Sequence, residues 1–248
     1  MVELKSKREI EIMSRAGKIA ALLLQELGRK IRSGIRTIEL DQIAYKFIRS
    51  HGAGPAFKGY RGYPCTICTS TNEEVVHGIP SNRILREGDI VGIDVGVLLE
   101  GYYADTAKTF AIGEVSETTK RLMRVTQESL YKGIERAIKG GRLSDISHQI
   151  QQVVEENGFG VVRQFVGHGI GAHLHEEPQI PNFGLPNQGL VLKEGMVLAI
   201  EPMVTEGDYE VEILSDGWTA VTKDRKLSAH FEHTVAITQE GPKILTEY

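Results

Sequence analysis

The feature that most restricts how this chain can fold is that it repeats itself. Leu85-Arg-Glu-Gly-Asp-Ile-Val-Gly-Ile-Asp94 recurs 107 residues later as Leu192-Lys-Glu-Gly-Met-Val-Leu-Ala-Ile-Glu201; the two share Leu, Glu, Gly and Ile and differ conservatively at five of the other six positions. The same offset relates Gly34-Ile-Arg-Thr37 to Gly141-Arg-Leu-Ser144, each read as a glycine followed three residues on by a helix N-cap, and Gln42-Ile43 to Gln149-Ile150. Apolar residues at helical spacing precede each glycine: Leu23, Leu27 and Ile31 in one half, Leu130, Ile134 and Ile138 in the other. Each half therefore reads helix, capped helix, glycine-rich turn, strands. A short period would build a solenoid, whereas one duplication of half the chain predicts two α+β halves packed about a pseudo-twofold axis with a cleft between them. No Pro/Gly/Ser-rich linker separates the halves, so the expectation is one domain over 1–248, divided roughly into 1–115 and 116–248. The repeat sets Asp94 and Glu201, each read as ending an apolar strand, at equivalent positions in the two halves.

With 41% hydrophobic residues the chain can bury a sizeable core, and a net charge of −4 shows no excess of Lys and Arg that would point to nucleic acid or an anionic membrane. The apolar run nearest the N-terminus, Ile19 to Leu24, is too short for a membrane span or a signal sequence, and a cytoplasmic protein is expected. Cys65-Thr-Ile-Cys68 matches C-x-x-C. It leads into Thr-Ile-Cys-Thr-Ser-Thr, which reads as a strand rather than the helix that a redox pair opens, so two packing cysteines are expected.

The chemistry concentrates in acidic residues set in apolar strands. Asp94 lies in Ile90-Val-Gly-Ile-Asp-Val-Gly and Asp105 in Tyr103-Ala-Asp-Thr, flanking Glu100-Gly101. If that pair is a two-residue hairpin loop, Asp105 stands opposite Gly96, and the two aspartates become diagonal neighbours on one face. Glu201 and Glu232 have similar apolar surroundings. Each could pair with Lys or Arg, but four such residues in matched contexts ask for cations. His168, in Val166-Gly-His-Gly-Ile-Gly171, has glycines on both sides that leave its imidazole unhindered. One imidazole with four carboxylates favours Mn, Fe, Co or Zn, and four carboxylate charges balance two divalent ions.

With these residues in place the chain resembles, over nearly its whole length, the methionine aminopeptidase family of the pita-bread fold, type I. The stretches that carry the resemblance are Gly-Ile-Asp-Val-Gly, Gly-Tyr-Tyr-Ala-Asp, Gly-His-Gly-Ile-Gly, Ala-Ile-Glu-Pro and Phe-Glu-His-Thr. The resemblance implies an α+β fold with a curved antiparallel sheet and helices on its outer face. It also implies a dinuclear centre held by Asp94, Asp105, His168, Glu201 and Glu232, and substrate contacts from His77 and His175. From the residues alone His173 is as good a candidate as His175; only the family's spacing selects the latter. The family's methionine pocket maps to Tyr60, Tyr63, Cys68, His77 and Trp218, with Phe57 and Leu174 completing it.

The mechanism expected from this resemblance has a metal-bridging water or hydroxide attacking the first peptide bond, Glu201 as general base, His175 on the oxyanion and His77 on the substrate. The substrate is a peptide or nascent-chain N-terminus, whose initiator methionine leaves when the second residue is small. Transient ribosome association is compatible with that substrate, no nucleic-acid or membrane binding is expected, and a monomer is. The rivals are an X-Pro aminopeptidase or prolidase of the same fold, which usually carries a large extra N-terminal domain, the type II enzyme, whose helical insertion has no room between Glu201 and Glu232, and a catalytically dead binding scaffold.

Overall fold

The computed structural model describes residues 2–247. Among the described residues four α-helices cover one side of the molecule: α1 (Lys7–Lys30), α2 (Thr37–Ser50), α3 (Glu117–Ile134) and α4 (Leu143–Glu156). The first half supplies strands β1 (Gly54–Pro55), β2 (Cys68–Thr71), β3 (Glu74–Val76), β4 (Ile90–Leu99) and β5 (Tyr102–Ala111). The second supplies β6 (Gly160–Val161), β7 (Gly167–Gly169), β8 (Glu176–Ile180), β9 (Val197–Ile200) and β10 (Met203–Thr205). It continues through β11 (Val211–Ile213), β12 (Ala220–Thr222), β13 (Ser228–His230), β14 (Glu232–Thr238) and β15 (Gly241–Ile244).

The main sheet is antiparallel and runs β1-β4-β5-β14-β9-β7-β8, with β2 also on β4 and β15 on β14. The halves meet in its middle, where Glu232 pairs with Ala107 and His233 with Thr106. Alternation along β4 shows how the sheet separates core from site. Val91, Ile93, Val95 and Val97 pack with Leu23, Leu27 and Leu40 of α1 and α2, so Asp94 between them points to the opposite face. The second half repeats this layering, with Leu198, Ile200 and Val235 under Leu130, Ile134 and Ile150 of α3 and α4. The result is the curved, helix-backed α+β architecture expected from the sequence.

The repeat holds with one shift of register. Leu85–Asp94 does match Leu192–Glu201 at an offset of 107, and strands β4 and β9 begin at residues 90 and 197. The helical part matches at 106, since α2 begins at Thr37 and α4 at Leu143. Arg36 bridges to Ile84 as Arg142 bridges to Val191. The N-caps are accordingly Arg36 and Arg142, not Thr37 and Ser144; their backbone N–H groups donate to Glu39 and Asp145, each at 3.0 Å. The Thr37 and Ser144 hydroxyls instead tie their helices to the incoming chain, donating to the carbonyls of Ser81 (3.1 Å) and Gln188 (2.9 Å). Ile138 lies beyond the end of α3 and is exposed rather than packed.

Candidate active site

Hairpin geometry brings the first pair of acids together. Glu100 and Gly101 both have positive φ (49° and 86°), the conformation a two-residue loop needs to follow the twist of its strands. Gly96 then pairs with Asp105 and Asp94 with Ala107, the expected diagonal arrangement. Asp94 falls in the middle of β4, not at its end as the repeat had implied, because the hairpin extends five residues further. Ala107 also faces Glu232 on β14, which brings a third carboxylate to the same patch. Glu201 follows the last residue of β9, and His168 on β7 pairs with Ala199 of that strand.

All five predicted ligands thus line one cavity of about 160 Å³, together with Phe57, Tyr60, Tyr63, Cys68, His77, Leu174, His175 and Trp218. His173 is exposed and outside the lining; residues 171–175 form a bend rather than a strand, so it does not share a face with His175.

Within the cavity, ligand atoms of Asp105, His168 and Glu232 lie within 4.8 Å of one another, and His168 Nε2 is 3.4 Å from Glu201 Oε1. His168 Nδ1 donates to the Gly169 carbonyl at 2.8 Å, which in the neutral ring leaves Nε2 as a lone-pair atom aimed into the cluster. Asp94 Oδ1, Asp105 Oδ1 and Glu232 Oε1 are buried without a hydrogen-bond partner. Unpartnered buried carboxylate oxygens are costly, and cations relieve that cost, so these residues fit a metal centre.

The electrostatics agree. Burial raises the Asp94 carboxyl to about 6 and the Glu201 carboxyl to about 7. Asp105 and Glu232 are pushed well above the usual carboxylate range, by burial first and then by neighbouring acids, Asp94 for the one and Asp105 for the other.

One end of the cavity is apolar. A Cβ at Gly96 would fall 2.5 Å from Phe57 Cε1, so only glycine lets that ring lie against the sheet as a wall. Tyr63 packs edge-on to Trp218 at 5.1 Å, and its hydroxyl sits between the carbonyls of Ile67 (3.1 Å) and Gly78 (3.0 Å), leaving the ring to the cavity. Asp41 of α2 accepts from the backbone N–H groups of Thr66 (2.7 Å) and Ile67 (3.1 Å), which steers the chain into β2 and Cys68. Both cysteines are buried and free, and Cys65 precedes the strand rather than belonging to it. Tyr60 Oη and His175 Nδ1 are 2.8 Å apart at the mouth. His77 adopts φ 61°, unusual for a non-glycine residue, and burial holds its imidazole down to about 4, hence neutral near pH 7.

His230 belongs to the site and was missed from the sequence. It is 4% exposed, its Nε2 is 3.7 Å from Glu201 Oε2, and that nitrogen has no hydrogen-bond partner. The available signal was its place two residues before Glu232, although the two lie on separate strands, β13 and β14.

The model of metallopeptidase family M24 matches residues 11–239. The chain is 56% identical over 246 residues to the methionine aminopeptidase of Clostridium perfringens, covering 99% of each. It superposes on the crystal structure of methionine aminopeptidase from Thermotoga maritima with a TM-score of 0.99 at 49% identity, over all of both chains. The prolidase of Pyrococcus furiosus shares the fold at a TM-score of 0.81 and 27% identity, with 99% of this chain covering 65% of that one.

Proposed function

Since the chain belongs to metallopeptidase family M24, we propose that it is a metal-dependent aminopeptidase that removes an N-terminal methionine when the second residue is small. The observation that carries this reading is the junction of a carboxylate cluster with unpartnered buried oxygens and an apolar end in one cavity. Identity of 56% to a methionine aminopeptidase against 27% to a prolidase favours this over the X-Pro alternative.

Asp94, Asp105, His168, Glu201 and Glu232 would hold the metal, and four carboxylate charges support two divalent ions of the Mn, Fe, Co or Zn type. Such ions supply Lewis acidity toward the peptide carbonyl and make water a nucleophile at neutral pH. Glu201, whose Oε1 lies 3.4 Å from His168 Nε2, takes the proton of the attacking water and delivers it to the leaving amine. His175, held by Tyr60, donates to the developing oxyanion, and neutral His77 hydrogen-bonds the substrate peptide. Tyr63, Cys68, Phe57, Leu174 and Trp218 enclose the methionine side chain, whose flexible thioether suits aromatic walls.

We read the chain as one catalytic domain acting as a monomer in the cytoplasm, with nascent chains among its substrates and transient contact with ribosomes. Among the described residues no helix is long and apolar enough to cross a membrane. The test is release of methionine from Met-Ala-Ser by protein whose bound metal has been counted; metal-loaded protein without activity would return the case to a binding scaffold.

A further inference from the structure

The cavity wall contains one side chain of permanent positive charge, Arg61. It is exposed, and among the described residues it forms no ion pair. Its backbone is left-handed (φ 48°, ψ 23°) between Gly59 (φ 88°) and Gly62 (φ 90°), a conformation that L side chains rarely adopt. The turn is tightly bonded: Gly59 N–H donates to Tyr63 O at 2.8 Å, Tyr63 N–H to Tyr60 O at 2.9 Å and Gly62 N–H to Gly59 O at 3.2 Å. The guanidinium carbon lies 5.4 Å from the centre of the Tyr60 ring, the same ring whose hydroxyl meets His175. Nearby Lys58 is turned elsewhere, with its Nζ 4.8 Å from the Tyr45 ring. A hydrogen-bonded turn therefore presents one cation without an ion-pair partner at the mouth of a cavity whose other permanently charged groups are acidic.

The position decides what that cation meets. The methionine side chain fills the buried end among Tyr63 and Cys68, and the scissile bond lies over the carboxylate cluster. The peptide beyond its second residue must then leave past the exposed rim where Arg61, Tyr60 and His175 stand. We infer that Arg61 is a specificity-determining residue that attracts a carboxylate on the departing part of the substrate, either an acidic side chain at the third position or the C-terminal carboxylate of a short peptide. An attraction of this kind weakens with salt because it acts at a solvated surface. The inference rests on the aminopeptidase reading above.

The test compares kcat/KM of the metal-loaded enzyme at low ionic strength on Met-Ala-Glu-NH2, Met-Ala-Gln-NH2, Met-Ala-Lys-NH2 and Met-Ala-Gln with a free carboxylate. An exposed ion pair predicts a preference of about two- to fivefold for the Glu peptide over the Lys peptide. In Arg61→Asn, whose side chain tolerates the left-handed backbone, that ratio should fall to near one; in Arg61→Lys it should persist. The free-carboxylate peptide against its amide shows whether the terminus is also read. A charge preference that survives Arg61→Asn, or its absence from the unmodified enzyme at low salt, overturns the inference. Failure to cut any of the four peptides would instead strike the aminopeptidase reading.

Discussion

Lys5 and Glu176, 171 residues apart, form an ion pair at 2.6 Å in which both side chains are nearly shut off from solvent, at 3% and 10% exposure. The second Glu176 oxygen accepts from the backbone N–H of His173 at 3.0 Å, and Lys5 N–H donates to Gly195 O at 2.6 Å. An N-terminal strap thereby fixes the bend that carries Leu174 and His175. Removing one partner of a buried pair leaves the other charge uncompensated, so Lys5→Met should cost about 3–5 kcal/mol in urea unfolding, and replacing both partners by apolar residues should restore much of it. A loss below about 1 kcal/mol, the level of a solvated pair, would show that the contact does not hold the loop.

The acidic cluster predicts how metal and pH act together. Asp94 and Glu201 have folded pKa values raised to about 6 and about 7, and Asp105 and Glu232 are raised further. A carboxylate whose folded pKa lies above its unfolded value binds more protons when folded, so its burial destabilises the metal-free protein progressively as pH rises from about 4 through the folded pKa. Cations offset that loss by binding only the folded state. The rise in Tm on adding Mn should therefore be larger at about pH 7.5 than at about pH 5. Differential scanning fluorimetry at the two pH values checks it; an equal rise would mean that the four acids are not clustered in the metal-free fold.

Much of this site was legible in the sequence where local geometry fixes distant pairing. A two-residue loop at Glu100-Gly101 leaves a single register, so Asp94 and Asp105 could be set side by side before any coordinates. The repeat was less sharply readable, because Gly140 and Gly141 are adjacent and either can be matched to Gly34; backbone bridges at Arg36 and Arg142 resolve the choice. Lys5 was not readable, as its partner lies 171 residues away and a lysine near an N-terminus usually belongs to a solvated helix start. Nor was Arg61, whose meaning depends on which way a glycine-flanked turn faces.

The proposed roles of Glu201 as base and His77 as substrate contact separate proton transfer from substrate orientation. Glu201→Gln removes the base together with one of the four cluster charges and should lower kcat by about 10³-fold or more, whereas His77→Ala removes one oriented hydrogen-bonding group and should cost about 10²-fold. Steady-state kinetics at saturating Mn, with circular dichroism to verify folding, gives the comparison. Equal and small losses would withdraw the base role from Glu201.

The second residue of the substrate is the most discriminating variable. On the proposed reading the methionine side chain enters the cavity end lined by Phe57, Tyr63, Cys68, Leu174 and Trp218, where an apolar pocket separates homologues by about 1–3 kcal/mol per methylene. The next side chain would then meet the rim between His77, which packs edge-on to Phe165 at 5.5 Å, and His175, whose ring lies 4.3 Å from that of His168. On that reading a small side chain such as Gly, Ala or Ser is accommodated there and Lys or Phe is excluded. Met-Ala-Ser should therefore be cut at least about 10²-fold faster than Met-Lys-Ser, a ratio that corresponds to about 2.7 kcal/mol. Ala-Pro-Ser, assayed beside them with the same metal, separates the family's branches, since it lacks the side chain the slot fits and offers the imide bond that a prolidase-type site accepts. Faster release of Ala from Ala-Pro-Ser than of Met from Met-Ala-Ser would overturn the methionine assignment while leaving the metal site in place. Comparable rates on Met-Ala-Ser and Met-Lys-Ser would show that the rim yields, and that His77 and His175 do not restrict the second residue.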